Sequence, residues 1–206
     1  GPRERRRARC RRRRRLRRRA KARPGALSEE PAVAAGVYTQ NLVHAAPVAL
    51  DRSRTPSRSI RAVVINSGNA NACTGEQGMK DAREMARMAG AVCLGTEEET
   101  LVLSTGIIGE YLPMDKIMQG IQSAAVKLAK NETALQLAAR AMMTTDTTEK
   151  IAGRTLDLAE GTVQLTGLAK GAGMIGPRMA TMLGVILTDA PLTAELAQPM
   201  LQHAVD

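Results

Sequence analysis

Residues 170–184 read KGAGMIGPRMATMLG, and this stretch decides how the rest of the chain is interpreted. Its glycines permit backbone conformations with positive φ, and the small Ala180 leaves room around Thr181. A strand-like apolar run follows at residues 182–187. A threonine so placed can attack the preceding carbonyl, and after cleavage its free α-amine is a base for its own hydroxyl. The stretch predicts a self-processing N-terminal nucleophile; the alternative is a glycine loop that enters a buried strand.

The positive charge lies at one end of the chain. The 206 residues have a formal net charge of +10, yet residues 1–24 hold fourteen Arg and one Lys against Glu4, so the remainder is acidic. Self-repulsion predicts a disordered leader at residues 1–30. It lacks the apolar segment of a secretory signal and the aromatic residues that stack on bases. An arginine run binds nucleic acid through charge alone, so we expect no specific nucleic-acid site.

Composition excludes several kinds of site. The three cysteines form no CxxC pair, which favours a reducing, cytoplasmic setting. His44 and His203 are too few for a His-based zinc site, and we expect no metal. No apolar run is long enough to cross a membrane. Without Trp or Phe, the core must consist of Ala, Val, Ile, Leu and the eleven Met.

Apolar periodicity predicts a mixed α/β chain. Apolar or alternating runs predict strands at residues 36–39, 62–65, 91–94, 100–104, 162–166 and 182–187. Helical spacing predicts helices at residues 76–89, after Pro113 and after an Asn131 cap. Residues 171–176 also match the dinucleotide pattern GxGxxG, but Pro177 and the next strand follow too soon for the required helix.

Three polar segments follow predicted elements. Residues 66–75, NSGNANACTG, form either a loop fixed by its own Asx turns or a loop that faces substrate. Thr105 and Gly106 offer a hydroxyl and a backbone N–H side by side, as an oxyanion hole requires, or form a plain glycine turn. Residues 144–150, TTDTTEK, bind a ligand or form a solvated loop.

Together these motifs resemble the ornithine acetyltransferase family, also called bifunctional glutamate N-acetyltransferase/amino-acid acetyltransferase, of arginine biosynthesis. The matching stretches are AAGVYTQN (34–41), AAPV (45–48), VINSGNANACTG (64–75), STGIIGEYLPMDKI (104–117), TTDTTEK (144–150) and KGAGMIGPRMATMLGVILTDA (170–190).

The resemblance implies a precursor that cuts itself between Ala180 and Thr181 into α and β chains. Thr181 then becomes the catalytic nucleophile. Thr105 and Gly106 match the oxyanion hole of the family. Thr144, Lys170 and Thr181 match its substrate-binding positions.

The implied reaction moves an acetyl group from Nα-acetylornithine to glutamate through an acetyl-Thr intermediate, without a cofactor. Acetyl-CoA can act as a second donor in bifunctional members. The implied fold is a layered sheet–helix sandwich that assembles as an α2β2 heterotetramer. Residues 31–180 correspond to the α chain and residues 181–206 to the start of the β chain.

The family's β chain continues well beyond the length present here and supplies further substrate groups. We therefore expect a fold that is incomplete at its C-terminus and inactive alone. Two alternatives stay open. One is a self-processing aminopeptidase of similar fold, and the other is an inactive truncated product whose basic leader adheres to nucleic acid.

Overall fold

The computed structural model describes residues 21–159, 161–173 and 181–205. Within these ranges the chain forms six strands and five helices. In chain order they are β1 (Lys21–Ala34), α1 (Ala46–Arg52), β2 (Ser57–Asn69), α2 (Gly75–Val92), β3 (Thr100–Ile107), α3 (Met114–Ala125), α4 (Glu132–Met142), β4 (Lys150–Leu158), β5 (Gly161–Lys170), β6 (Leu183–Thr188) and α5 (Ala194–Val205). None of the helices in these ranges is long and apolar enough to cross a membrane.

The first sheet has the order β1–β2–β3, with β1 antiparallel to β2 and β2 parallel to β3. Strands that are covered on both faces carry unbroken apolar runs, which explains residues 62–65. The register pairs Ser67 with Thr105 and Gly68 with Gly106. Because β2 and β3 run in the same direction, their polar C-terminal ends meet at one edge of the sheet.

Successive residues of β2 face two apolar cores, because side chains alternate across a strand. Val64 packs against α1, α2 and α3, whereas Ile65 packs against α4 and β5. The buried members of the first core are Leu50, Val64, Ala82, Met85, Ala86, Ala89, Val102, Leu112, Ile117 and Ile121. Full burial of a side chain such as Met85 or Ile117 contributes about 1.5–3 kcal/mol. Both faces of β2 are therefore covered.

The second sheet is antiparallel, with the order β4–β5–β6. Helix α4 joins it to the first sheet, because Ala139 and Met142 pack between Ile65 and Leu168. The side chain of Asn131 caps this helix by accepting a hydrogen bond from the N–H of Ala134 at 2.8 Å, as its sequence position predicts. The layered α/β architecture expected from the sequence is confirmed.

The prediction that residues 1–30 form a disordered leader is wrong for residues 21–30. Residues 21–30 belong to β1, which pairs with β2 from Lys21 opposite Ser67 to Ala34 opposite Ser57. Pairing with β2 satisfies the backbone hydrogen bonds of this segment, and the composition of residues 21–30 alone does not indicate that pairing. Residues 1–20 lie outside the described residues.

Two predicted strands are also wrong. Residues 36–39 form no strand, and the backbone N–H and carbonyl of Gly36 instead bond the Gln198 side chain of α5 at 3.0 and 2.9 Å. Residues 91–94 continue and then cap α2. Gly90 therefore lies inside this helix. A Cβ at Gly90 would lie 2.2 Å from the carbonyl oxygen of Thr96, so glycine there permits close packing.

Asp51 should make the stability of the fold depend on pH. Asp51 is buried in α1, and both carboxylate oxygens accept hydrogen bonds from the N–H of Val102 at 3.0 and 3.1 Å. Burial raises the pKa of Asp51 to about 7, although the Val102 bond and the nearby Arg54 charge act to lower it. The folded state thus holds a proton that the unfolded state releases near pH 4, so stability should fall as pH rises from 4 to 7.

The substitution Asp51→Asn should remove this loss of stability between pH 4 and pH 7. We expect the free energy of unfolding of the wild type, relative to Asp51→Asn, to decrease by up to about 4 kcal/mol between pH 4 and pH 7. Urea unfolding at several pH values measures it, with Asp115→Asn on the exposed first turn of α3 as a control for loss of a carboxylate. Parallel profiles for wild type and Asp51→Asn would contradict the assignment.

Candidate active site

Three segments that lie far apart in sequence meet around the ammonium group of Lys170. This residue ends β5, Thr105 lies near the end of β3, and Thr144 follows α4. The Lys170 Nζ donates hydrogen bonds to Thr105 Oγ1 at 3.2 Å and to Thr144 Oγ1 at 3.0 Å. Lys170 is only 4% exposed and Thr105 only 6%. The structure therefore brings together three of the predicted site residues.

Asp146 lies at the centre of this cluster, and its role was not predicted. Its Oδ1 accepts hydrogen bonds from the N–H of Gly171 at 2.6 Å and from Lys150 Nζ at 2.9 Å. Its Oδ2 accepts one from the N–H of Thr144 at 3.2 Å and lies 3.9 Å from Lys170 Nζ. The only signal in the sequence was a carboxylate between threonines, which is equally typical of a solvated loop.

The cluster sets the charges of its members. Burial lowers the pKa of Lys170, while the Asp146 charge acts to raise it and the Lys150 charge to lower it further. Burial alone would raise the pKa of Asp146. The hydrogen bonds from Lys150, Gly171 and Thr144, together with the Lys170 charge, outweigh burial and hold the pKa of Asp146 below its usual range. Asp146 is thus a buried carboxylate that stays ionised at neutral pH.

The Thr105 hydroxyl is one donor that an oxyanion hole could use, and Gly106 lies beside it on exposed backbone. Lys170 is the donor in its bond to Thr105, so the Thr105 hydroxyl keeps its own proton for donation to a substrate atom. Gly106 is exposed and has a φ of 139°. A Cβ on Gly106 would lie 2.2 Å from the carbonyl carbon of Gly68, so only glycine lets β2 and β3 approach this closely.

Thr181 lies just before β6, at the end of the second sheet where β5 ends with Lys170. The register pairs Leu183, two residues after Thr181, with Lys170. The Thr181 hydroxyl donates a hydrogen bond to the carbonyl oxygen of Gly173 at 2.9 Å. Ala180, the other half of the predicted cleavage junction, lies outside the described residues.

The asparagine-rich segment at residues 66–75 is held by its own side chains. Asn66 Nδ2 donates to the carbonyl of Asn69 at 2.9 Å, and Ser104 Oγ donates to Asn66 Oδ1 at 2.5 Å. Asn71 Nδ2 donates to the carbonyl of Gly78 at 2.8 Å. Since all three asparagines are buried, the segment acts as a brace behind the site. The first of the two interpretations of this loop, a self-supporting turn, fits these contacts.

Among the residues that the structure describes, no group of three or more His, Cys, Asp or Glu side chains could hold a metal ion. Two hydroxyls and one carboxylate converge on Lys170, and the backbone N–H groups of Gly171 and Thr144 bond that carboxylate. The donors of this cluster that suit the carboxylate and carbonyl oxygens of a small polar substrate are the Lys170 ammonium and the Thr105 hydroxyl.

Comparison with known proteins identifies the family. The sequence profile of the ArgJ family matches residues 16–206. The chain belongs to the ArgJ family. The resemblance inferred from the sequence motifs is thereby confirmed.

Curated ArgJ relatives are similar over most of this chain. The arginine biosynthesis bifunctional protein ArgJ of Symbiobacterium thermophilum is 53% identical over 180 residues, which cover 87% of this chain and 44% of that protein. The protein of the same name from Rhodopirellula baltica is 44% identical over 177 residues, covering 86% of this chain and 43% of its own length. This chain therefore spans less than half the length of these two ArgJ relatives.

Two solved structures share the fold. The ArgJ crystal structure from Bacillus halodurans superposes with a TM-score of 0.66 at 38% identity, covering 76% of this chain and 80% of that chain. Ornithine acetyltransferase from Mycobacterium tuberculosis, solved with ornithine, superposes with a TM-score of 0.69 at 34% identity. The alignment covers 80% of this chain and 93% of the Mycobacterium chain.

The close packing of Gly106 against Gly68 can be tested by measuring the free energy of unfolding of this ArgJ chain. Gly106→Ala places a methyl group against the Gly68 backbone, whereas a Cβ at Gly109, whose φ is 79°, would meet no atom within 4 Å. Both substitutions strain a positive φ, but only Gly106→Ala pushes β2 and β3 apart. We expect Gly106→Ala to lower the free energy of unfolding by about 2 kcal/mol more than Gly109→Ala does. Urea unfolding followed by circular dichroism measures the difference, and equal losses would contradict the packing argument.

Proposed function

We propose that this chain provides the nucleophile-bearing part of an acetyltransferase that moves an acetyl group from Nα-acetylornithine to glutamate. The observation that carries the proposal is the cluster of Lys170, Thr105 and Thr144, together with the position of Thr181 two residues before Leu183, the β6 residue that pairs with Lys170. Membership of the ArgJ family and the names of its relatives support arginine biosynthesis as the setting.

The first proposed step is self-cleavage. The Thr181 Oγ attacks the carbonyl carbon of Ala180, the Ala180–Thr181 C–N bond breaks, and the nitrogen takes up the hydroxyl proton. Water then hydrolyses the resulting ester, which leaves a carboxylate on Ala180 and a free α-amine and hydroxyl on Thr181. The partly exposed Thr181, next to a glycine-rich segment, supports this step.

The lengths of the matched chains are consistent with such a cut. This chain covers 93% of the Mycobacterium ornithine acetyltransferase chain but 44% of the Symbiobacterium protein. The solved chain is therefore much shorter than the curated relative, as division of a precursor into two chains would produce.

The second proposed step is acetyl transfer. The new α-amine has a reference pKa of about 7.7–8, so near neutral pH a fraction of it is free to accept the Thr181 hydroxyl proton. Thr181 Oγ attacks the acetyl carbonyl, and ornithine leaves with the proton. The amine of glutamate then attacks the acetyl-Thr ester and releases acetylglutamate and the Thr181 hydroxyl.

Thr105 and Gly106 are proposed to stabilise the oxyanion in both half-reactions. The Thr105 hydroxyl and the Gly106 N–H would donate to the developing negative charge, and loss of one such donor typically slows catalysis by about 10²–10³-fold. Lys170 and Thr144 are proposed to hold polar groups of the amino-acid substrate. The ammonium of Lys170 suits a carboxylate, since a buried cation attracts an anionic partner strongly.

The remaining features of the proposal concern partners and setting. Acetyl transfer, unlike self-cleavage, is proposed to need further substrate-binding groups from the rest of the family's chain, within an α2β2 assembly, because this chain spans less than half the length of its ArgJ relatives. The reaction is proposed to need no cofactor, and acetyl-CoA is proposed as a second acetyl donor. We retain the cytoplasm as the proposed location because Cys73 and Cys93 are free thiols, although the Chaetomium globosum relative is named mitochondrial.

Self-cleavage tests this proposal. The purified chain should release a piece that starts at Thr181, whereas Thr181→Ala should stay whole because it lacks the attacking hydroxyl. Thr162→Ala, which removes an exposed threonine hydroxyl elsewhere on β5, is the matched control and should be cut like the wild type. Intact-mass spectrometry gives the result. An uncut wild-type chain, or a Thr181→Ala chain cut at the same bond, would contradict the proposal.

A further inference from the structure

The carboxylate of Asp146 is fully buried, with a side-chain exposure of 0%, and it connects the end of β5, the loop after α4 and the start of β4. It accepts hydrogen bonds from the backbone N–H groups of Gly171 and Thr144, the residues that follow Lys170 and α4. Two ammonium groups also face it, Lys150 at 2.9 Å and Lys170 at 3.9 Å.

The two threonine hydroxyls alone do not account for a charged Lys170. A buried ammonium loses its hydration, and dipoles compensate for that loss only in part, whereas a carboxylate within about 4–6 Å favours the charged form directly. Asp146 is the carboxylate that acts on Lys170 from this cluster, and Lys150 is the cation that opposes it. The charge of Lys170 thus depends on its burial first and then on two groups of opposite sign.

We propose that Asp146 is a positioning residue for Lys170. Its carboxylate keeps the ammonium charged between the Thr105 and Thr144 hydroxyls, and its two backbone hydrogen bonds fix the chain on either side of the site. Asp146 acts through Lys170 and not on a substrate, because both of its oxygens already accept hydrogen bonds and its side chain is not exposed. The consequence for catalysis rests on the proposed function, but the electrostatic arrangement can be tested without it.

Substitution of Lys150 should shift the pKa of Lys170 in the direction opposite to the shift caused by substitution of Asp146. Its side chain is 46% exposed, so it can be neutralised with little effect on packing. Removing its charge takes away a cation that repels Lys170, and Lys150→Gln should therefore raise the pKa of Lys170. Asp146→Asn removes the attracting charge and should lower it. A purely structural role for Asp146 predicts no such pair of opposite shifts.

The experiment is a pH titration of Lys170 by NMR. The chain is labelled with ¹³C at the lysine ε-carbons, and the Lys170 signal is assigned by its loss in Lys170→Arg. Wild type, Asp146→Asn, Asp146→Glu and Lys150→Gln are compared. Lys130→Gln is the control, because Lys130 is an exposed lysine that pairs with Glu29.

The expected result is a lower Lys170 midpoint in Asp146→Asn, a partial return in Asp146→Glu, a higher midpoint in Lys150→Gln and no change in Lys130→Gln. An opposite charge at this range moves a pKa by about 1–3 units, well above the error of such a titration. An unchanged or raised midpoint in Asp146→Asn, or an unchanged or lowered one in Lys150→Gln, would overturn the inference. If Asp146→Asn does not fold, Asp146→Glu decides instead: the longer side chain changes the distance between the carboxylate and Lys170 Nζ and should shift the Lys170 midpoint, and an unchanged midpoint would overturn the inference.

This outcome is separable from that of the self-cleavage test. An uncut wild-type chain with the expected Lys170 shifts removes the proposed function and leaves the role of Asp146 intact. A chain that is cut at Thr181 but shows no opposite shifts removes the role of Asp146 alone.

Discussion

The burial of one ammonium group constrains the whole candidate site. Lys170 can lie almost fully inside the protein only where acceptors replace its lost water, and these acceptors come from two segments outside its own strand. Thr105 comes from the first sheet, Lys170 from the second, and Thr144 and Asp146 from the loop after α4. The same contacts that satisfy the charge hold the two sheets in the arrangement that the site requires.

The two sheets make this arrangement possible. Parallel pairing of β2 and β3 brings Thr105 and Gly106 to an edge beside Gly68. Antiparallel pairing of β5 and β6 brings Lys170 and the start of β6, and hence Thr181, to one end of the second sheet. Helix α4 fixes one sheet against the other through Met142, which is packed between Ile65 and Leu168. The packing of a small apolar cluster therefore sets the distance between groups that the proposed chemistry uses.

Local sequence patterns predicted most of the buried strands and helices, but they predicted little of the exposed structure. Strands β2 and β3 and the Asn131 cap were foreseen because apolar runs and capping residues are local signals. Strand β4 gave no such signal, since every residue in it is exposed and no face alternates with a buried one. The role of Asp146 was missed because its partner Gly171 lies 25 residues away. Only the resemblance of whole motifs to the family identified Thr105, Thr144 and Lys170 as site residues. Nothing in their spacing along the chain shows that their side chains touch.

A double-mutant cycle on Lys170 and Thr105 tests the central claim most directly. The free energy of unfolding is measured for the wild type, Lys170→Met, Thr105→Val and the double variant. Circular dichroism follows the transition, because the chain has no Trp. If the ammonium and the hydroxyl are bonded in the interior, the two losses are not additive, and the coupling energy should be about 1–2 kcal/mol. Additive losses would show that Lys170 does not join the two sheets through Thr105, and the site described here would then be wrong.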